Sequence, residues 1–145
     1  MKILVAAEGN TLNNLVAARF ERGMWYLTVG DRMSLIRRVE NLGPRARKTA
    51  IQQACKDGVE TVVTGDLGLH SYNLVALYEM KVAIVPQMAV REALEKLKKG
   101  IFKVLDSSMI GEIAHEQVLR RMQQRMVFRG KETRGTIKRV GGTRD

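Results

Sequence analysis

The hydrophobic pattern changes along the chain from short apolar runs near the N-terminus to alternating strand and helix signals. KILVAA (2–7) and VAIVP (82–86) are continuously apolar, which is typical of strands buried on both faces. WYLTVGD (25–31), LIRRVEN (35–41) and VETVVTG (59–65) also have strand composition, and IFKVLD (101–106) is a short strand candidate. The pattern thus predicts three strands before the first helix and alternating helices and strands after it.

Three helices are predicted between the later strands, because apolar residues recur there at helical spacing. The first opens at Gly43-Pro44 and stops at Gly58, and the others follow Gly68 and Pro86. The apolar face of the first helix is predicted to hold four residues, with the last a small core residue: Ala50, Ile51, Ala54 and Cys55.

These elements predict a mixed α/β sheet with helices on both faces. Strands joined by short turns pair antiparallel, whereas strand–helix–strand crossovers give parallel neighbours. Ligands of such sheets bind at the carboxyl ends of the central strands. Those ends are residues 7–10, 65–70 and 86–88.

Size and composition limit the class of protein. The 145 residues and 16.3 kDa suit one domain, and 45% hydrophobic residues suffice for a core. The sequence has no apolar run of about 18 residues and no signal-peptide pattern, so we expect a cytoplasmic protein without membrane contact. The single cysteine excludes an internal disulfide framework.

The net charge of +10 predicts an anionic partner and comes mainly from two stretches. Residues 19–48 contain eight basic and three acidic side chains, and residues 129–145 contain six and two. We predict a helix over 106–128 and a flexible basic tail over 129–145. The tail would allow nonspecific nucleic-acid binding through phosphate contacts by Arg129, Lys131, Arg134, Lys138 and Arg139.

Several segments occur in an order that resembles the dinitrogenase iron–molybdenum cofactor biosynthesis family, the nitrogenase accessory factors. They are KILVAAEGN, ARFERGMWYLTV, the pair Glu40-Asn41, GVETVVTGDLGLHSYNLV and VAIV, within residues 1 to 100. The resemblance implies a ribonuclease-H-like three-layer α/β/α domain over 1–105, with a mixed five-stranded sheet and an antiparallel second strand. It also implies a non-catalytic carrier of an anionic iron–sulfur-type cluster or a related cofactor, with a cofactor-assembly protein as partner.

The family signature after the first strand departs from the nitrogenase branch. Members of that branch read close to H-F-G-H, with the histidine as the expected cluster ligand, and other homologues more often read R-F-G-R. Here the segment is Arg19-Phe20-Glu21-Arg22. Arginine stays protonated and cannot ligate iron, so this position excludes histidine ligation and argues against true nitrogenase cofactor carriage. Arginine does suit anion recognition, although Glu21 could pair with one of the arginines.

A second predicted loop, Gly65-Asp66-Leu67-Gly68, joins a strand to a helix. Its glycines permit tight turning, and free N–H groups at a helix N-terminus attract anions. It lacks the Walker A lysine and the dinucleotide fingerprint, so no nucleotide is predicted. The predicted cofactor-binding residues are Glu8, Asn10, Arg19, Phe20, Arg22, Gly65, Asp66, Gly68 and His70, with His70 as a candidate metal ligand.

The leading function is therefore a small non-catalytic binding protein for an anionic cluster or other small anion. Nucleic-acid binding through the basic surface and tail is the alternative. The implied fold also raises a metal-dependent nuclease, for which Glu8 and Asp66 would approach each other at parallel strand ends. A third carboxylate for that chemistry is not evident, and the sequence leaves the oligomeric state open.

Overall fold

A computed structural model describes residues 1–106, 108–109, 112, 119–120 and 122–123. The strands are β1 (Ile3–Ala7), β2 (Trp25–Val29), β3 (Leu35–Glu40), β4 (Thr61–Thr64), β5 (Lys81–Ile84) and β6 (Val104–Leu105). The α-helices are α1 (Pro44–Lys56), α2 (Leu69–Leu77) and α3 (Val90–Lys98), and two 3-10 turns cover Phe20–Arg22 and Asp31–Met33. Each predicted strand and each of the three helices is present; β1 ends with its predicted run at Ala7, and the other strands end one or two residues before theirs.

The six strands form one mixed sheet in the order β3-β2-β1-β4-β5-β6. Strand β2 runs antiparallel to β1 and β3, whereas β4 is parallel to β1 and β5. The implied count of five strands is corrected to six, because Val104 and Leu105 add an antiparallel strand beside β5. Gly100, at a φ of 75° just after α3, lets the chain turn back toward that edge.

The sheet is covered on both faces, so its central strand is buried throughout. Leu4 and Ala6 of β1 face the layer formed by α1 and α2. Ile3, Val5 and Ala7 face the opposite layer, formed by α3. This arrangement explains the continuous apolar run of the first strand, since both sets of alternating side chains contact a helix.

One predicted core position is wrong. Cys55 is exposed, whereas Ala50, Ile51 and Ala54 of the same helix are buried. Successive residues are about 100° apart around an α-helix. Ala54 lies at the edge of the buried face, so Cys55 lies outside it.

None of the helices that the structure describes is long and apolar enough to cross a membrane. Most of the predicted helix over 106–128, and the whole tail over 129–145, lie outside the described residues. This includes the five basic residues proposed for nucleic acid: Arg129, Lys131, Arg134, Lys138 and Arg139.

Candidate functional site

The loops that follow β1 and β4 meet where the order of the sheet reverses. The two strands are parallel neighbours, and the chain then continues to β2 on one side and to β5 on the other. The N–H of Gly65 donates to the carbonyl of Ala17 over 2.9 Å. A Cβ on Gly65 would lie 2.5 Å from the carbonyl oxygen of Ala18. Glycine is thus required here by the close approach of two backbones.

The 3-10 turn Phe20–Arg22 is anchored in the core by its first residue. Phe20 is fully buried and its ring centroid lies 4.8 Å from that of Tyr26. The Tyr26 hydroxyl donates to the Phe20 carbonyl over 2.8 Å, and the Phe20 N–H donates to the Asp66 carbonyl over 2.8 Å. Although Phe20 was predicted to bind the cofactor, its side chain packs inward and holds the turn against the second loop.

Asn41 fixes the other side of this turn. Its amide nitrogen donates to the carbonyls of Glu21, over 3.2 Å, and Gly23, over 2.7 Å. Its amide oxygen accepts from the N–H of Gly43 just before α1, over 3.2 Å. Sequence reasoning noted Asn41 only as part of the family resemblance, because nothing in its local pattern indicates contacts 18 and 20 residues away.

The carboxylate of Glu21 caps the N-terminus of α2. Its Oε2 accepts hydrogen bonds from the Gly68 N–H, over 2.9 Å, and from the Ser71 hydroxyl. Arg19 Nε lies 3.7 Å from Oε1. Oε1 is itself buried and has no hydrogen-bond partner among the described residues. The ion pair with an arginine was anticipated, whereas the cap and the contribution of Ser71 were missed.

Glu21 is ionised at neutral pH despite its partial burial. Burial raises the pKa of this carboxyl, but the hydrogen bonds from Ser71 and Gly68 and the charge of Arg19 outweigh it, so the pKa lies below its ordinary value. The chain therefore already holds one anion at the N-terminus of α2, where backbone N–H groups and the helix dipole favour negative charge.

Some of the remaining predicted residues lie beside the Glu21 cap, and the others contact different parts of the chain. Arg22 and His70 are exposed beside the first group, and the Asp66 carboxylate accepts from the Leu67 N–H of its own loop over 2.9 Å. Glu8 instead accepts from the Gln87 amide over 2.6 Å, and the Asn10 carbonyl accepts from Arg38 over 3.0 Å. Within residues 1–106, no hydrogen bond or ion pair joins Glu8 or Asn10 to Arg19, Glu21 or Gly68.

The site offers charge and hydrogen-bond donors rather than metal ligands. Among the described residues, no group of three or more His, Cys, Asp or Glu side chains is placed to hold a metal ion. Arg19 and Arg22 present exposed guanidinium groups, and the Gly68 N–H and the Ser71 hydroxyl are held by the Glu21 carboxylate. These groups recognise anions through charge-assisted hydrogen bonds.

The family model described as dinitrogenase iron–molybdenum cofactor matches residues 1–100. The chain therefore belongs to that family. A comparison with curated protein sequences finds no match.

Three solved structures share the fold. The apo form of the orange protein from Desulfovibrio gigas is 28% identical, with a TM-score of 0.61, over 70% of this chain and 90% of that one. A candidate NifB protein from Thermotoga is 20% identical, with a TM-score of 0.59 and the same coverage. A candidate dinitrogenase from Methanocaldococcus jannaschii is 13% identical, with a TM-score of 0.56, over 72% of this chain and 94% of that one. The last two likenesses concern the fold alone.

Proposed function

We propose that this family member is a non-catalytic binding protein that carries an anionic metal-containing cofactor or cluster as its cargo. The cargo would bind at the loops 19–22 and 65–70. The observation that carries this proposal is the Glu21 cap: the α2 N-terminus holds a carboxylate through Gly68 and Ser71, with Arg19 at 3.7 Å. A place that binds a carboxylate within the chain has the donors and the charge to bind an external anion.

The residues present fit a cargo held by charge and hydrogen bonds, without metal–ligand bonds from the protein. Arg19 occupies the position of the family's ligand histidine and cannot donate a lone pair. The exposed His70 is the one imidazole in these two loops. The cargo would therefore arrive with its own ligands, and the guanidinium groups and backbone N–H groups would neutralise its charge.

In this proposal Glu21 and the cargo compete for the same donors. Rotation of the Glu21 side chain would free Gly68 N–H and the Ser71 hydroxyl, while the backbone of the turn stays held by Tyr26 and Asn41. Removing the charge of Glu21 should then strengthen anion binding. Release would occur when Glu21 returns to the donors.

Family membership and the 28% identity to the orange protein, which was solved in an apo form, support a role in cofactor handling. We also propose that a protein partner supplies or receives the cargo. The proposed fold class is ribonuclease-H-like, and the proposed location is the cytoplasm. No catalytic step is assigned to any residue.

Anaerobic loading of the full chain with a preformed iron–sulfur cluster anion that carries its own thiolate ligands tests the proposal. We expect visible absorbance and bound iron in the wild type, and a large loss of both in the double variant Arg19→Gln/Arg22→Gln. Lys98→Gln/Lys99→Gln removes the same charge from the end of α3, on the other face of the sheet, and should load normally. A colourless, iron-free wild type would contradict the proposal, as would equal loading of both double variants.

A further inference from the structure

A groove between the first turns of α1 and α2 adjoins the loops assigned above and shares His70 with them. It has a volume of about 280 Å³ and is lined by Pro44, Arg45, Arg47, Lys48, Ile51, His70, Ser71 and Leu74. Pro44, Ile51 and Leu74 give it an apolar floor, and the basic residues stand at its rim. Ser71 also donates to Glu21, so the groove shares His70 and Ser71 with the proposed cargo site, whereas Arg45, Lys48 and Leu74 line the groove alone.

The basic rim forms no ion pair in the described part of the chain, although Arg47 Nη1 donates to the Glu21 carbonyl over 3.4 Å. Its cations are Arg45, Arg47 and Lys48, and α1 has no acidic residue in its first turn. Helices favour acidic side chains at this end because the dipole is positive there. Arg45 in the first turn of α1 opposes the helix dipole, and Arg47 and Lys48 add positive charge just after it, so an anion in the groove would offset this charge.

The dimensions and the lining together select the occupant. A volume of 280 Å³ lies just below the range of about 300–1,000 Å³ that holds most small-molecule ligands, and an apolar lining with a few polar groups is usual for such sites. The rim charges require negative groups on the ligand, and the floor requires an apolar body. A segment of folded protein would need more room.

We infer that this groove is a second binding site, which takes a small organic anion with an apolar body and one or two negative groups. The body lies on Pro44 and Leu74, since Ile51 is fully buried, and the negative groups face Arg45, Lys48 and the first turn of α2. Arg45 and Lys48 belong to the groove and not to the proposed cargo site, so their substitution distinguishes the two.

A matched pair of probes tests the inference on the full chain. Naphthalene-1-sulfonate carries an apolar body and one negative charge, and naphthalene-1-sulfonamide has nearly the same shape without the charge. Titration followed by amide chemical shifts should give saturable changes at Ile51, Ser71 and Leu74 with the sulfonate. The sulfonamide should bind at least several-fold more weakly.

Charge variants then test whether the sulfonate binds at this groove. Arg45 and Lys48 are exposed and make no side-chain hydrogen bond or ion pair in the described part, so Arg45→Gln/Lys48→Gln should fold normally. It should weaken sulfonate binding by about fivefold or more, in line with the size of exposed charge interactions. Lys98→Gln/Lys99→Gln should change it by less than about twofold. Shifts at another surface, equal binding of the two probes, unchanged affinity in the groove variant, or no saturable binding at millimolar probe would each overturn the inference.

Discussion

The cap formed by Glu21 predicts a defined loss of stability when its charge or its acceptor is removed. Glu21→Ala deletes the acceptor for Gly68 and Ser71, and loss of an N-terminal cap costs about 0.5–2 kcal/mol. The side chain is only 22% exposed, which favours the upper half of that range. Oε1 is buried without a hydrogen bond, which destabilises the wild type. Glu21→Ala removes this destabilisation, so the net loss of stability should be smaller than the contribution of two charged hydrogen bonds. We expect about 1–2 kcal/mol for Glu21→Ala and about half of that for Glu21→Gln.

The pH dependence of the unfolding free energy distinguishes the contribution of the Glu21 charge from that of the size of its side chain. The pKa of the folded state is lowered, while the unfolded value is about 4.3. A carboxyl of this kind stabilises the fold fully above the unfolded pKa, and the stabilisation is lost as the pH falls through the folded pKa. The difference in unfolding free energy between wild type and Glu21→Gln should therefore be largest above about pH 5 and shrink toward pH 3.

Urea unfolding of the wild type and the variants at pH 7, 5, 4 and 3 measures this difference. Glu95→Gln is the matched control, because Glu95 is exposed on α3 and forms no ion pair in the described residues. It should change the unfolding free energy by less than about 0.5 kcal/mol. A difference for Glu21→Gln that stays constant with pH would show that its charge adds nothing. A difference that grows on acidification would show that burial, and not hydrogen bonding, decides its pKa.

Two further substitutions test the contacts that shape the site. Gly65→Ala would place a Cβ 2.5 Å from the carbonyl oxygen of Ala18, so we expect a loss of about 1–3 kcal/mol in thermal or urea unfolding; near-wild-type stability would contradict this contact. Asn41→Ala would leave the carbonyls of Glu21 and Gly23 without their donor, at a cost of about 1–3 kcal/mol. If Asn41→Ala unfolds like the wild type, the amide does not hold the turn.

The apolar pattern predicted the elements because each is specified locally. The run at β1 indicated burial on both faces, and Gly43-Pro44 marked the start of α1. Strand ends were overestimated, because Val85 remains buried beyond the end of β5. Burial continues past the end of β5, and so does a hydrogen bond from the Val85 N–H to the Thr64 carbonyl over 2.9 Å, so composition alone does not show where a strand ends.

The candidate site was predictable in its loops and not in its contacts. Strand order and glycine placement indicated that the loops after β1 and β4 would meet, and Ala17 and Gly65 do. The bond between Ser71 and Glu21 joins residues 50 apart, and no periodicity encodes such a separation. Glu8 and Arg19 contact different parts of the chain, and this separation likewise depends on the path of the loop between them.

Native mass spectrometry of the full chain, purified without oxygen and then loaded with a preformed, thiolate-ligated iron–sulfur cluster anion, tests the central claim most directly. We predict an added mass that corresponds to a metal-containing anion. It should be retained by Lys98→Gln/Lys99→Gln and lost from Arg19→Gln/Arg22→Gln. Apoprotein alone in every sample, or equal retention by the two double variants, would contradict an anionic cargo at these loops.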